Sequence, residues 1–201
     1  MEPMRSVSLA LGFSVLAWLA VVAPARAEVP QDWPVLAREA HARLATEATR
    51  AELWNQYGYY SYRAGITREA EPAYRESLRL DPKAAVTWNN LGVLLLNRKQ
   101  LPAAEDCFRK ALALLPSYSK AKYNLAVTRF KQGHYREALF MYIDVRKEDR
   151  AYVELRTNRA RAEMELERAI RDHPDDPFLR TVRSRYEKLK KEEKPGSPPD
   201  Y

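Results

Sequence analysis

Apolar residues recur along most of this chain at the three-to-four-residue spacing of a helix. In the middle of the sequence Trp88, Leu91 and Leu95 form one stripe, and Phe108, Ala111, Leu112 and Leu115 form another. This predicts two amphipathic helices with facing apolar sides. Pro82 and Pro116 stand where such a second helix must stop, because proline disfavours helix at the preceding residue and has no N–H to donate to an earlier turn. Near the front, Asp32 with Pro34 signals a helix start, and Val35, Leu36, Ala40 and Leu44 make one apolar face up to about Ala45. Near the end, Asp176-Pro177 opens a last helix with a narrow stripe of Phe178, Leu179, Val182, Tyr186 and Leu189. Its close, Lys188 to Lys194, is almost wholly charged, and Pro195 to Tyr201 has a composition that predicts disorder.

The pattern repeats. A shift of 34 residues aligns Trp54 with Trp88, Tyr57 with Leu91 and Leu125, and Gly58 with Gly92 and Ala126. It also aligns Ala70, Ala104 and Ala138; Tyr74, Phe108 and Tyr142; Ser77, Ala111 and Val145; and Pro82 with Pro116. A fixed period in this range means a stack of identical supersecondary units. The small residues at 58, 92 and 126 let a second helix approach the first, with the aromatic residues 74, 108 and 142 filling the space beside them. One hairpin cannot bury both of its faces, so neighbours must stack.

These residues resemble the tetratricopeptide repeat, a helical hairpin with W-x2-L-G-x2-Y, then A-x3-F, then P. The middle unit matches most closely, with Trp88, Leu91, Gly92, Leu95, Ala104, Phe108, Ala111 and Pro116. The resemblance implies an all-α fold: a right-handed α-solenoid of three helical hairpins with N- and C-terminal capping helices. The expected organisation is a signal peptide over 1–27, a capping helix within 28–50, repeats at 51–84, 85–118 and 119–152, C-terminal helices over 153–194 and a tail at 195–201. The third unit departs from the pattern, having Lys122 for the leading Trp and Arg150 for the stop proline, so its second helix is expected to run past residue 148. Pro72, inside the second helix of the first unit, predicts a late start or a local irregularity. Glu167-Arg168-Ala169-Ile170 with Pro174 imitates the end of a repeat but lies ten residues out of register, as a decayed fourth unit or a longer capping hairpin.

The resemblance also implies binding, since the first helices of such hairpins line a groove for an extended peptide or a partner's helix. Gln56, Asn90 and Asn124 then form an amide ladder, with Asn55 and Asn89 beside it. A carboxamide both donates and accepts, so it pairs with a peptide backbone whatever the side chain; the other reading is that these amides are solvated or bridge hairpins. Tyr59, Val93 and Val127, then Tyr62, Leu96 and Phe130, extend the groove with an apolar stripe. An external ligand, the chain's own last helix, or packing between hairpins would cover it. Of the set with which some family members clamp a terminal carboxylate, Asn90 and Lys120 match, whereas Asn55, Tyr59 and Asn124 stand where Lys, Asn and Arg are expected. Too little of that clamp remains to imply carboxylate-terminus recognition, though Lys120 and Lys131 favour acidic groups.

Composition changes the picture in three ways. Of the 201 residues 46% are apolar and 30% charged, which excludes a fully disordered chain or a polytopic membrane protein. Arg5, the uncharged run from Ser6 to Ala25 and Ala25-Arg26-Ala27 read as an export signal. An uncleaved anchor is the competing reading, because the run is just long enough to span a bilayer. Either way the rest of the chain is expected outside the cytoplasm, in the periplasm or cell envelope, with a membrane partner only if the leader is retained. Lys and Arg number 34 against 27 Asp and Glu; removing Arg5, Arg26 and Glu2 with the leader leaves a net charge of +6. That balance favours acidic partners, but the basic residues are interleaved with acidic ones and an exported protein rarely meets nucleic acid, so no nucleic-acid binding is expected.

No catalytic constellation emerges. His41, His134 and His173 are scattered, and Cys107 is the single cysteine, either a small apolar group on a helix or one half of an intermolecular disulfide. Six glycines form no phosphate loop, and G-x-S-x-G is absent. Asp175/Asp176 and Glu192/Glu193 read as a helix start and a solvated face. The expectation is a non-catalytic adaptor or scaffold of a cell-envelope assembly, without metal or cofactor, binding a peptide or helix of a partner; the alternative is a periplasmic chaperone or assembly factor holding unfolded or secretory clients.

Overall fold

The computed structural model describes residues 32–150, 152–153 and 159–192. The expected leader and the tail from Pro195 lie outside the described residues. Nine helices occur among those described: α1 (Trp33–Glu47), α2 (Ala51–Arg63), α3 (Thr67–Leu80), α4 (Ala85–Asn97), α5 (Leu101–Leu114), α6 (Ser119–Lys131), α7 (Tyr135–Glu148), α8 (Arg159–Asp172) and α9 (Pro177–Glu192). The chain is all-α, and its helices recur with the period of the sequence. Helices α2, α4 and α6 begin 34 residues apart, as do α1, α3, α5 and α7. The N-terminal helix therefore stands in the register of a second helix.

The helices fall into two compact units, one ending at His134 and one starting at Tyr135. In the first, each helix packs on the next from α1 to α6, and α2, α4 and α6 also touch one another in series. In the second, α9 packs on α7 and α8.

Local chemistry explains the punctuation. Asp32 caps α1 by accepting from Val35 N at 3.1 Å, and Asp176 caps α9 by accepting from Leu179 N at 2.9 Å. The turns leaving α2, α4 and α6 are alike. Gly65, Lys99 and Gly133, again 34 residues apart, take positive φ values of 80°, 61° and 87°. Behind them Ile66, Gln100 and His134 donate to Ser61, Leu95 and Arg129 carbonyls at 2.8, 2.9 and 3.0 Å, closing the last helical turn as a left-handed cap requires. Trp54 and Trp88 anchor the preceding loops, their indole N–H groups donating to Ala48 O at 2.7 Å and Pro82 O at 2.9 Å.

The helix crossings depend on missing side chains. A Cβ built on Gly58 would lie 2.8 Å from the Tyr74 ring, and one on Gly92 would lie 2.6 Å from Phe108 Cε1. Both aromatic rings are fully buried. Each glycine therefore sets how closely its two helices pack, and close contact recovers dispersion energy along the whole pair.

Three expectations change. Helix α3 starts at Thr67 and runs unbroken through Pro72, which sits on the exposed side where the missing N–H costs least. Helix α7 ends at Glu148 and does not continue past it: the Asp149 side chain accepts from Tyr152 N at 3.0 Å and begins a new turn in place of the stop proline. On α1 the buried face is Ala37, Ala40 and Leu44, with Val35 and Leu36 only half-buried. In α9 Leu179 and Val182 are buried and Phe178 half-buried; the side chains of Tyr186 and Leu189 lie outside the described ones.

Candidate functional site

Because α2, α4 and α6 lie side by side, a residue on one of them meets a residue 35 positions later on the next. This offset organises the amides. Asn124 Nδ2 donates to Asn89 Oδ1 at 2.9 Å, Asn89 Nδ2 to Asn90 Oδ1 at 3.5 Å, and Asn90 Nδ2 to Asn55 Oδ1 at 3.0 Å. Four carboxamides thus form one relay across three helices. Asn89 and Asn124 are buried and Asn55 and Asn90 half-buried, so the inner amides are spent on the relay, whereas the outer pair keeps amide surface exposed to solvent. Gln56 stands apart, its Nε2 3.4 Å from Glu52 Oε1 one turn earlier on α2.

Apolar and aromatic groups flank the relay. Tyr59, Tyr62, Val93, Leu96 and Phe130 are half-buried, each keeping surface for a contact. Val127, expected among them, is buried at 4% exposure, which withdraws its branched side chain from any ligand. The Tyr62 hydroxyl accepts from Asn97 Nδ2, again 35 positions on, and burial pushes its ionisation up. Tyr59 meets Trp33 of α1 edge to face at 5.9 Å and accepts from Arg63 Nη1 at 2.9 Å. The Arg63 guanidinium lies 4.3 Å over the Trp33 ring, so the end of this face is a cation held between aromatic rings. Lys120 and Lys131 are exposed on α6.

Of the expected site residues, the structure joins Asn55, Asn89, Asn90 and Asn124, leaves Gln56 to its own helix, and puts Trp33, Arg63 and Asn97 beside the aromatic ones. The last three have no common motif, and only the 35-residue offset between first helices would have found Asn97.

A second set of contacts escaped the motif search, although it also repeats. Glu71 of α3 pairs with Arg75 at 2.8 Å and with Arg98 after α4. One repeat on, Glu105 of α5 pairs with Arg109 at 2.9 Å and Arg129 at 2.8 Å, and accepts from Gln132 Nε2 at 2.9 Å. Arginine hydrogen bonding holds the Glu71 carboxyl below the usual range. For Glu105 burial pushes upward, but Gln132, Arg129 and Arg109 outweigh it and the net direction is down. These buttresses lock each second helix to the end of the following first helix.

Comparison with known proteins bears on the whole arrangement. The family model described as tetratricopeptide repeat matches residues 85–118. The peroxisomal targeting signal receptor of Kluyveromyces lactis is 40% identical over 65 residues, 32% of this chain and 12% of that protein. Human superkiller complex protein 3 is 30% identical over 109 residues, 54% of this chain and 7% of that protein. Protein FlbA of Caulobacter vibrioides is 37% identical over 76 residues, 37% of this chain and 13% of that protein. The chain thus spans about an eighth or less of the length of these relatives. A crystal structure of MamA superposes with a TM-score of 0.60 at 20% identity, covering 81% of this chain and 90% of that chain, which is a likeness of fold.

Proposed function

Because the chain is a tetratricopeptide-repeat protein, we propose that it acts as a non-catalytic adaptor whose α2, α4 and α6 bind a peptide or single helix of a partner protein. The observation that carries this reading is the combination on one face of half-buried Tyr59, Tyr62, Val93, Leu96 and Phe130 with solvent-exposed amide surface on Asn55 and Asn90. Apolar area supplies the driving force, and the amides orient a peptide backbone. Exposed Lys120 and Lys131 favour acidic groups beside the apolar ones. The similarity to a protein named as a signal receptor supports recognition in place of catalysis. The leader-like residues 1–27 motivate placement in a cell envelope.

The test is in-cell crosslinking with mass spectrometry, comparing wild type with Asn90→Asp plus Leu96→Glu. The expected result is one dominant partner lost in the variant. A partner set unchanged in the variant overturns the assignment of this face, and a broad set of weak clients replaces the adaptor with the chaperone reading. Fractionation of a tagged chain tests location: recovery in the cytosolic fraction overturns the envelope assignment.

A further inference from the structure

The charges of this chain are divided unequally between its two kinds of helix. In each of α1, α3 and α5, basic and acidic residues are equal in number. In α2, α4 and α6, by contrast, the cations Arg63, Lys120, Lys122, Arg129 and Lys131 are matched by a single carboxylate, Glu52. That carboxylate stands in the first turn of α2, and α4 and α6 carry none.

Helix geometry sorts the cations of α6. Lys120 and Lys131 are eleven residues apart, which at about 100° per residue returns to within about 20° of the same direction. Asn124 and Val127 lie on the stripe between them and are buried. Asn124 bonds Asn89 of α4 at 2.9 Å, so this stripe is on the side of α6 that holds the amide relay. Arg129 is half a turn away, on the other side, and its charge is spent on Glu105 at 2.8 Å. Lys120 and Lys131 are exposed and have no ion-pair partner among the described residues. Helix stability does not account for the pair. Lys131, in the last turn, is favoured by the helix dipole, but Lys120 stands in the first turn, where a cation is disfavoured and no acidic residue offsets it. One repeat earlier the two positions are Val86 and Asn97, and two repeats earlier Glu52 and Arg63. The lysine pair is therefore peculiar to α6.

We propose that the partner of this face is an extended acidic peptide lying along α6, with one carboxylate at Lys120, a second at Lys131 and an apolar residue between them. The inference rests on α2, α4 and α6 being the peptide-binding face, and it adds what the peptide must carry. Eleven residues of helix separate the two lysines by about 16 Å along the axis. An extended chain advances about 3.3 Å per residue, so the two acidic residues stand about five positions apart. Burial of Asn124 and Val127 keeps their side chains below the surface between the charged ends, while half-buried Leu96 of α4 and Phe130 of α6 retain apolar area for the residue in the middle. Two exposed cations, with no carboxylate on α4 or α6 to balance them, attract an anionic segment and repel a cationic one.

The test uses the full chain and an array of capped Ser-Gly peptides carrying one Leu and two flanking Glu residues, with the separation of the Glu pair varied and a Gln counterpart for each. Binding is expected to be strongest at a separation of about five and about tenfold weaker for the Gln counterpart. Lys120→Gln or Lys131→Gln, both surface changes, is expected to remove the dependence on separation, and the double variant to bind Glu and Gln peptides alike. Leu96→Glu is expected to abolish binding of both kinds, with circular dichroism confirming that each variant keeps the helicity of wild type. Equal binding of Glu and Gln peptides by wild type, a Glu preference that ignores separation, or an optimum that survives in the double lysine variant overturns the proposal and leaves the face assigned. Binding that persists in folded Leu96→Glu, or no binding of any peptide, overturns the assignment of the face and the proposal with it.

Discussion

The hairpin α2–α3 and the hairpin α4–α5 follow one plan and differ in what lies between their second helix and the one before it. Both cross at a glycine set against a buried aromatic ring, both turn through a left-handed residue, and both tether the incoming loop through a tryptophan N–H. The α3–α5 valley is closed by Glu71 and Arg98, whereas the α1–α3 valley has Ala37 and Ala64 at the corresponding positions and an open depression in its place. The shared positions hold the backbone together; the divergent ones leave surface and charge that packing does not consume. In a repeat protein, then, residues that break the period point to recognition, because the period already satisfies packing.

The comparison can be broken most severely at the glycines. Gly92→Leu is expected to destabilise the chain by about 3 kcal/mol by forcing side-chain atoms into the Phe108 ring, and Gly58→Leu to act similarly against Tyr74. Urea unfolding followed by circular dichroism measures both, and a near-normal midpoint for either rejects the assigned crossing. Next come the buttresses. Glu105→Ala is expected to cost about 1–3 kcal/mol, because its carboxylate is largely buried among three partners. Glu71→Ala, more exposed, is expected to cost less than about 1 kcal/mol. Both carboxyls are held below their ordinary range in the folded chain. Their contribution is therefore fully present above the unfolded value of about 4.5 and is lost as pH falls through the lower folded values. Thermal melts on acidification below pH 4.5 should decline less steeply in Glu105→Gln than in wild type.

Smaller effects sharpen the difference between the hairpins. Tyr57→Phe removes the hydroxyl bond to Glu69 that α4 lacks, and is expected to cost about 0.5–1.5 kcal/mol. Burial, and then the Glu69 bond, push the Tyr57 phenol up to about 12. Its stabilising share is present below pH 10 and lost as pH rises toward 12, so alkaline titration of tyrosine absorbance should lose one late-ionising group in the variant. Lys99→Gly brings the second turn into line with Gly65 and Gly133 and is expected to raise stability by about 0.5–1 kcal/mol. An unchanged melting temperature would mean that Lys99 carries no backbone strain.

The fold was legible to an unusual degree, and the site less so. Trp88, Gly92, Phe108 and Pro116 each have a local reason for their identity, so their period reported the hairpin before any contact was known. The amide ladder was legible as a set of residues but not as a set of bonds. Sequence alignment pairs Asn90 with Gln56 and Asn124 at 34, whereas neighbouring first helices bring Asn90 to Asn55 and Asn124 to Asn89 at 35. The Glu71 and Glu105 buttresses also repeat at 34, yet charged residues on a helix read as a solvated face until a partner 27 residues away is found beside them.

What the sequence determined alone is the class of structure: helical spacing, small residues opposite aromatic ones and helix-stopping prolines act through neighbours close along the chain. What the tertiary structure decided is which polar groups are spent on packing and which remain. That depends on which helices come to lie side by side, and so on contacts between residues far apart in sequence. By this route Asn89 and Val127 became interior while Asn90 and Leu96 kept surface. By the same route Ala37 and Ala64, unremarkable in the sequence, left a depression beside Tyr57.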